Sequence, residues 1–424
     1  MVRRIIISLF MVIVIFPLAT AEAQITIVGE NNPTIDAQAV QRAVDQGGTV
    51  NLKGTFDFGD KGRVNITKDV KIVGEIDPNG SPLTKIKGGF WTFHSPLPAK
   101  WPPETPGPKI TIQSIHFDGG LWVPINLAYS SGATISNNKI TNVRPLLIPQ
   151  QIPGIGTMSM QHGIYCGPLW AQQMQLPPEK RAYTPDVFTG NLNISDNEID
   201  VANDNPLKTM GQGIFVVRTT GVTAQIFGNT VVNSSRTSIE TKDNYLGKDG
   251  GGMMIIRDNK IVTSIQGIPF PTPSNPIGIL VGWFDDISGG LDPQRNIKYA
   301  VLNNAIRTRG KTSPGIVAFT DGVVIANNAI LSEGTEAYGL GVFSSDGYIA
   351  YNRMEGTSSG PAMFVRPWKP LKGSKNVFVD NDLKQFKSST ADVVFEKDAC
   401  NNLFIGPSCK VNDLGSNNSI QMTK

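Results

Sequence analysis

A short polar turn with an asparagine at one fixed point recurs along this 424-residue chain. Each copy has an apolar or β-branched residue on either side, as in TISNNKITNV and VIANNAILSE. The recurring asparagines are Asn138, Asn197, Asn229, Asn259, Asn304, Asn328, Asn352 and Asn381. The last three intervals are 24, 24 and 29 residues, and an earlier one reaches 59. A short basal period with insertions predicts a solenoid, in which each repeat packs on its neighbours.

The repeating element is a strand, because apolar and polar residues alternate with period 2 within each unit. A second apolar strand precedes each asparagine turn. Its copies read HGIYC, QGIFVVR, TSIETK, IGILVGW, PGIVAF, YGLGVF, PAMFVR and ADVVFE. One coil is therefore predicted to run strand, turn, strand, asparagine turn, strand and variable loop. Stacked coils would align the asparagines into a ladder of amide hydrogen bonds, in a turn whose αL geometry suits asparagine.

This repeat resembles that of the pectin lyase-like superfamily, over the chain from about Ile25 to the C-terminus. The resemblance implies an all-β, right-handed single-stranded parallel β-helix built from PbH1-type repeats, with residues 24–424 as one domain. It does not imply a single activity.

The segment after the first strand predicts a capping helix at the N-terminal end of the solenoid. Thr34 is the expected N-cap and Gly47 the expected stop. The apolar face comprises Ile35, Ala39, Val40, Ala43 and Val44. Such a helix would cover the open end of the core and its sheet edges.

Residues 1–23 have the pattern of a secretory signal: MVRR, an apolar run, and AEA ending at Ala23. The alternative is a membrane anchor, because the run approaches spanning length. We expect cleavage and a mature protein that is secreted or periplasmic, with no stable membrane insertion.

Charge and rare residues narrow the partners. The formal net charge of +3 gives no reason to expect nucleic acid, and we expect a monomer that binds polysaccharide or glycan. The histidines His94, His116 and His162 are too scattered to predict a metal site. Cys400 and Cys409 either pair in an oxidising compartment or stay free, with Cys166 as the odd cysteine.

Insertions predict where a ligand would bind. Long segments precede the Gly-Ile strands at 144–161 and follow them at 167–190, 243–252 and 284–296. Loops of this length are usually functional or disordered, and here they would wall a groove. If the isoleucine points inward, the outward aromatic and basic residues are substrate-binding candidates: Tyr165, Phe215, Trp283, Phe319, Phe343, Arg366 and Trp368. Alternatively, loops cover several of them as secondary packing, or the register slips by one residue.

Charges gather in the middle of this predicted face. The catalytic candidates are Glu240, Lys242, Asp243, Arg218, Asp285 and Asp286. A hydrolase would use Glu240 with one of the aspartates as paired carboxylates. A lyase would use Lys242 or Arg218 as base, with a cation or Ca²⁺ stabilising the developing charge. His162 is a weaker candidate beside them, and a surface ion-pair cluster is the alternative to a catalytic site.

Motifs of individual families are absent. Polygalacturonases carry N-x-D, D-D, G-H-G and R-x-K in order, whereas this chain has a lone DD at Asp285–Asp286 and QHG at 161–163. The DPHD signature of alginate epimerases and a pectate-lyase Ca²⁺ set are also missing. The sequence thus favours an exported polysaccharide lyase or glycoside hydrolase, with a non-catalytic or structural glycan-binding β-helix as the alternative. No cofactor is predicted except Ca²⁺ if the enzyme is a lyase.

Overall fold

A computed structural model of the protein describes residues 24–99, 103–152, 156–168, 187–268, 276–283, 296–369 and 371–423. The predicted signal peptide and the candidates Asp285 and Asp286 lie outside the described residues. No helix in the described ranges is long and apolar enough to cross a membrane.

The described elements are one helix, α1 (Asp36–Val44), and 38 strands. In chain order the strands are β1 (Gln24–Val28), β2 (Gly48–Lys53), β3 (Thr55–Asp57), β4 (Val64–Asn65), β5 (Val70–Gly74), β6 (Thr84–Lys87), β7 (Phe93–Ser95), β8 (Lys109–Gln113), β9 (Ile115–Asp118), β10 (Ile125–Leu127), β11 (Ser130–Ser136), β12 (Lys139–Thr141), β13 (Leu146–Ile152), β14 (Gly156–Cys166), β15 (Phe188–Ser195), β16 (Glu198–Asp200), β17 (Thr209–Val217), β18 (Thr223–Phe227), β19 (Thr230–Ser234), β20 (Thr237–Lys242), β21 (Met253–Arg257), β22 (Lys260–Thr263), β23 (Ile277–Trp283), β24 (Lys298–Leu302), β25 (Ala305–Thr308), β26 (Ile316–Ala318), β27 (Val324–Ala326), β28 (Ala329–Ser332), β29 (Leu340–Val342), β30 (Tyr348–Ala350), β31 (Arg353–Ser358), β32 (Met363–Val365), β33 (Val377–Val379), β34 (Asp382–Ser388), β35 (Val393–Phe395), β36 (Leu403–Pro407), β37 (Val411–Asp413) and β38 (Ser419–Thr423).

These strands form three long sheets whose neighbours are successive coils of one chain. Sheet A has 14 strands, β1-β2-β5-β8-β11-β15-β18-β21-β24-β27-β30-β33-β36-β38. Sheet B has 11, β3-β6-β9-β12-β16-β19-β22-β25-β28-β31-β34. Sheet C has 13, in the order β37-β35-β32-β29-β26-β23-β20-β17-β14-β10-β7-β4, with β13 added against β14. Each full coil passes through sheets C, A and B, which confirms the predicted right-handed single-stranded parallel β-helix.

The asparagine ladder lies at the turn from sheet A to sheet B and is confirmed. Asn304 Nδ2 donates to Asn328 Oδ1 at 2.9 Å, and Asn328 Nδ2 donates to Asn352 Oδ1 at 2.9 Å. Each amide oxygen also accepts a backbone N–H, as from Asn304 to Asn328 at 3.0 Å. The prediction placed αL geometry on the ladder residue, and this is wrong. The preceding residue adopts it, as at Asn327 with φ 57°.

A second ladder lies at the turn from sheet C to sheet A near the C-terminus. Asn376 Nδ2 donates to Asn402 Oδ1, and Asn402 Nδ2 to Asn418 Oδ1, both at 3.0 Å. The sequence prediction missed it, because the intervals of 26 and 16 residues are not regular.

The capping helix is confirmed, but its predicted N-cap is wrong. The N-cap position is Ile35, without a side-chain cap. Thr34 instead bonds to the side chain of Asn32. The buried carboxylate of Asp36 accepts backbone N–H groups of Glu30, Asn32 and Asp57, and so ties the helix to the first coil.

Two further outcomes concern the predicted loops and cysteines. Part of 144–161 is β13, which pairs antiparallel with β14. All three cysteines are free, so Cys400 and Cys409 do not pair.

Candidate functional site

The Gly-Ile motif of sheet C determines which side chains point out of the solenoid. A Cβ at Gly213 would come within 2.3 Å of Val231 Cγ1, and one at Gly315 within 2.5 Å of Ile330 Cγ2. These glycine positions therefore face the interior, where side chains of sheet B fill the space. The following isoleucine is also interior, as Ile214 is in the main core. Gln212 and Phe215, on either side of that inward pair, both face outward.

The predicted register is confirmed by the division of the core. Ile164, Ile214 and Ile239 belong to the main core inside the solenoid. Tyr165 and Phe215 form a separate apolar cluster with Val123 and Val217, packed by Trp91 and Trp122. Phe319, Phe343 and Phe364 form another outer cluster, with Trp283, Tyr338 and Trp368 packed against it. The outer face of sheet C thus has two parts, which we call the polar half (β7, β10, β14, β17, β20) and the aromatic half (β23, β26, β29, β32, β35).

In the polar half, one row of aligned outward side chains crosses five strands. Register pairs place His94, Asn126, Tyr165, Phe215 and Glu240 side by side in that order. A second row, three residues earlier on each strand, aligns His162, Gln212 and Thr237. The parallel stacking therefore brings together chemistry-bearing residues that are up to about 150 positions apart in sequence.

Glu240, the central catalytic candidate, is buried and already engaged. It is 3% exposed. Gln212 Nε2 donates to Glu240 Oε2 at 2.5 Å, and Arg236 Nε lies 3.9 Å from the same oxygen.

Arg218 and Asp243 form a buried ion pair on successive coils. Arg218 Nη2 lies 3.5 Å from Asp243 Oδ2, and Nη1 donates to the Pro168 carbonyl at 3.2 Å. Both residues have positive φ, 56° and 52°, at the turns that end β17 and β20. Such geometry is uncommon for residues other than glycine and is retained where surrounding contacts fix it.

The rings beside this cluster have altered proton affinities. His162 is stacked on Phe215 with centroids 5.8 Å apart and contacts Tyr165 edge-on at 5.1 Å. Burial lowers the pKa of His162 to about 3, with nearby Gln212 opposing the drop. Burial also raises the pKa of Tyr165, whereas Arg218 lowers it. At neutral pH, His162 is a neutral ring and Tyr165 keeps its proton.

Among the catalytic candidates that the structure describes, Lys242 is the partly exposed one. Its Nζ lies 5.5 Å from the ring centroid of Phe215, a cation–π distance. Register places Lys242 beside Trp283, where the two halves meet.

Several buried polar groups of the polar half have no hydrogen-bond partner. Within the described ranges they include both amide atoms of Asn126, the indole N–H groups of Trp91 and Trp122, and the Thr237 hydroxyl. Neither ring nitrogen of His162 is hydrogen-bonded, although Gln212 is close. Native proteins pair the great majority of such groups, so a cluster of unpaired ones indicates a place for water or a polar ligand.

Sequence reasoning missed the first two strands of this half. Their coils lack the Gly-Ile motif, so Asn126, Trp91 and Trp122 were not aligned with the outward set. The string PINLA carried a usable signal, because Ile125 pairs in register with Ile164.

The aromatic half contains an open cleft of about 390 Å³. It brings together four predicted substrate-binding residues, Phe319, Phe343, Arg366 and Trp368, with Trp283 in contact with Trp368 at 5.9 Å. Alternation along the strands also places Phe364 and Glu396 on this outward face, whereas the prediction did not include the other lining residues, which are Glu336, Tyr338, Gly360, Pro361 and Val394. Tyr165 and Phe215 lie apart, in the polar half.

A bidentate ion pair between Arg366 and Glu396 lies at the edge of this cleft. Arg366 Nε and Nη2 donate to the two carboxylate oxygens of Glu396, each at 2.5 Å. Glu396 raises the pKa of Arg366 through these bonds. The Arg366 guanidinium therefore stays charged, and the Glu396 carboxylate compensates that charge.

The described residues contain no cluster of three or more histidine, cysteine, aspartate or glutamate side chains placed to hold a metal ion.

Comparison with known proteins gives the fold. No protein-family model matches the chain, and no curated protein matches it in sequence. Among solved structures it is similar to the mannuronan C-5 epimerase A-module of Azotobacter vinelandii, with 13% identity, TM-score 0.38 and coverage of 91% of this chain and 93% of that one. For the DFA-IIIase of Arthrobacter chlorophenolicus the identity is 12% and the TM-score 0.41, with coverage of 91% of this chain and 94% of that one. For the GH136 lacto-N-biosidase of Eubacterium ramulus the identity is 11% and the TM-score 0.39, with coverage of 94% of this chain and 68% of that one. These likenesses concern architecture.

Proposed function

We propose that this protein is a carbohydrate-active enzyme that binds a saccharide in the polar half and acts on its glycosidic linkage. The observation that carries the proposal is the cluster of buried, unpaired hydrogen-bonding groups among aromatic rings, with Asn126, Trp122 and Thr237 as its clearest members.

A saccharide has the chemistry that these groups lack. Each sugar hydroxyl both donates and accepts, so it can serve the donor of Trp122 and the two-sided amide of Asn126. The C–H face of a sugar ring suits the flat side chains of Tyr165 and Trp91. A purely apolar ligand would leave the unpaired polar groups unsatisfied, at a cost of about 1–3 kcal/mol for each group.

The charged residues beside this ligand supply two routes of cleavage. Glu240 and Asp243 are the carboxylates for hydrolysis, where one donates a proton to the leaving oxygen and the other assists water or the sugar carbon. Lys242 is the base for elimination from a uronate, with Arg218 stabilising the carboxylate and Ca²⁺ joining only in that case. Tyr165 keeps its proton in either route and serves as a donor.

A screen on neutral and acidic polysaccharides tests the proposal, with reducing ends and unsaturated-product absorbance recorded separately. Reducing ends alone identify a hydrolase, and absorbance from uronates identifies a lyase. Glu240→Gln should lower hydrolysis by about 10²- to 10⁴-fold, the usual contribution of an acid or base. Glu198→Gln is the matched control, because Glu198 lies exposed on sheet B. Equal activity of both variants would remove Glu240 from the site.

Burial favours a second candidate function, glycan binding without catalysis. Glu240 and Asp243 are only 3% and 1% exposed, and each already faces a guanidinium. Saccharide binding that depends on Trp122, with no product from any substrate, would support this candidate.

Export belongs to the same proposal. The support is the sequence of residues 1–23, which has the pattern of a secretory signal and places the predicted cleavage point before Gln24. Mass spectrometry of the mature protein should give Gln24 as its N-terminus, whereas an intact Met1 terminus in a membrane fraction would indicate an anchor.

A further inference from the structure

The cleft of the aromatic half has the geometry of a second, separate ligand site. Its volume of about 390 Å³ lies within the ordinary range of small-molecule sites. The floor is apolar, because Phe319 and Phe343 are stacked at 4.3 Å and almost fully buried. Trp368 stands 5.8 Å from Phe343 and Tyr338 stands 4.6 Å from Phe364, and both are partly exposed.

The charges of the lining residues cancel within the protein. Arg366 is the one cation among the lining residues, all of which the structure describes. Its bidentate contact with Glu396 uses the fork that would otherwise bind a carboxylate of the ligand. The other lining carboxylate, Glu336, lies 2.9 Å from Lys311 Nζ. A uronate entering the cleft would meet two carboxylates and no cation whose preferred contacts are unfilled.

We propose that this cleft binds uncharged sugar rings and discriminates against uronates, because aromatic faces bind the ring while the closed Arg366–Glu396 pair denies a counter-ion. Glu396 and Arg366 offer outward lone pairs and N–H groups to neutral hydroxyls. The inference extends the proposed function to a second site, and it can hold or fail independently of chemistry at Glu240.

Binding of oligosaccharides to the mature protein tests this inference. An array of neutral and uronic oligosaccharides is probed with wild type and with Trp368→Ala. We expect neutral glycans to bind, Trp368→Ala to weaken them at least tenfold, and high salt to have little effect, because no net charge is matched. Tyr348→Ala is the matched control, since Tyr348 is an exposed aromatic residue on sheet A.

A charge-release variant tests the discrimination itself. Glu396→Gln leaves the Arg366 fork without its carboxylate, so we expect at least a tenfold gain in affinity for uronates at low salt. In Arg366→Gln with Glu396→Gln, both charges are absent and the gain should disappear. Melting temperatures of all variants show whether the fold is retained.

Each outcome decides one proposal. If wild type binds uronates at least as tightly as neutral glycans, and this binding depends on Trp368, the proposed discrimination against uronates is overturned. The cleft would then be a saccharide site without charge selectivity. Binding indifferent to Trp368→Ala would overturn the cleft as a site. Product formation that depends on Glu240 judges the proposed enzyme separately.

Discussion

The two halves of the outer face of sheet C have the same register, but their surfaces differ in polarity and burial. In the polar half, charged and hydrogen-bonding side chains are buried, and several polar atoms are unpaired. In the aromatic half, rings stack on one another and the Arg366–Glu396 ion pair at the edge is partly exposed. The same β-helix backbone therefore accommodates either kind of side chain on its outer face. What covers each half decides the role of its side chains.

The largest expected difference concerns the two ion pairs. Arg218→Ala leaves Asp243 buried without its guanidinium, and we expect a loss of about 3–5 kcal/mol in the free energy of unfolding. Arg366→Ala removes a partly exposed pair, which should cost about 0–1 kcal/mol. Thermal and urea unfolding of both variants measure the comparison.

Equal losses would contradict the division into a buried and an exposed half. A double variant, Arg218→Gln with Asp243→Asn, sharpens it. Asparagine tolerates the positive φ at position 243, so the double variant should recover part of the stability lost in Arg218→Ala.

The asparagine ladder lies at the turn from sheet A to sheet B, away from the outer face of sheet C, and should affect neither ligand site. Asn328→Ala leaves the backbone N–H and the side-chain amide of Asn304 without their acceptor, which should cost about 2–3 kcal/mol. Asn327→Gly is the control, because glycine adopts the φ of 57° found there. An unchanged melting temperature in Asn328→Ala would contradict the ladder.

Acid should weaken the polar half more than the aromatic half. Burial lowers the pKa of His162 to about 3 and that of His94 to about 4, from 6.5 for the ordinary group. The unfolded chain therefore binds more protons than the folded chain below pH 6.5, and stability falls with pH down to about 4. The slope is about 1.4 kcal/mol per pH unit for each histidine.

Melting temperatures of wild type and of His162→Gln between pH 7 and 5 test this dependence. The variant should show a shallower decline. His116→Gln is the control, because His116 lies outside the polar half and is only half-buried on sheet B, where burial and then Lys85 lower its pKa. An unchanged slope in His162→Gln would mean that this ring is protonated in the folded protein.

The fold followed from sequence because the solenoid repeats its requirements in every coil. The asparagine turn satisfies a hydrogen-bonding requirement and the Gly-Ile pair a steric one. Their spacing therefore predicts the length of each coil, the sheet to which each strand belongs and the direction in which its side chains point. The helix cap and the hairpin formed by β13 and β14 occur once, and local propensity alone mispredicted Thr34 and residues 144–161.

For the candidate site, the sequence predicted which side chains point outward from sheet C, and no more than that. Phe343, Arg366 and Trp368 share a face by alternation, and they do line one cleft. Alternation does not tell what packs above a face, so the burial of Glu240 and the pairing of Arg218 with Asp243 were beyond it. Asn126 was not aligned with the outward set because its coil lacks the Gly-Ile pair that is found in β14, β17 and β23 and at the start of β26.

The most direct test of the central claim is a crystal structure of Glu240→Gln with an oligosaccharide substrate from the screen. We predict sugar density in the polar half, with hydroxyl groups within hydrogen-bonding distance of the Asn126 amide, the Trp122 indole N–H and the Thr237 hydroxyl. Ordered water alone at those atoms, with the sugar bound on sheet A or sheet B, would contradict the proposal.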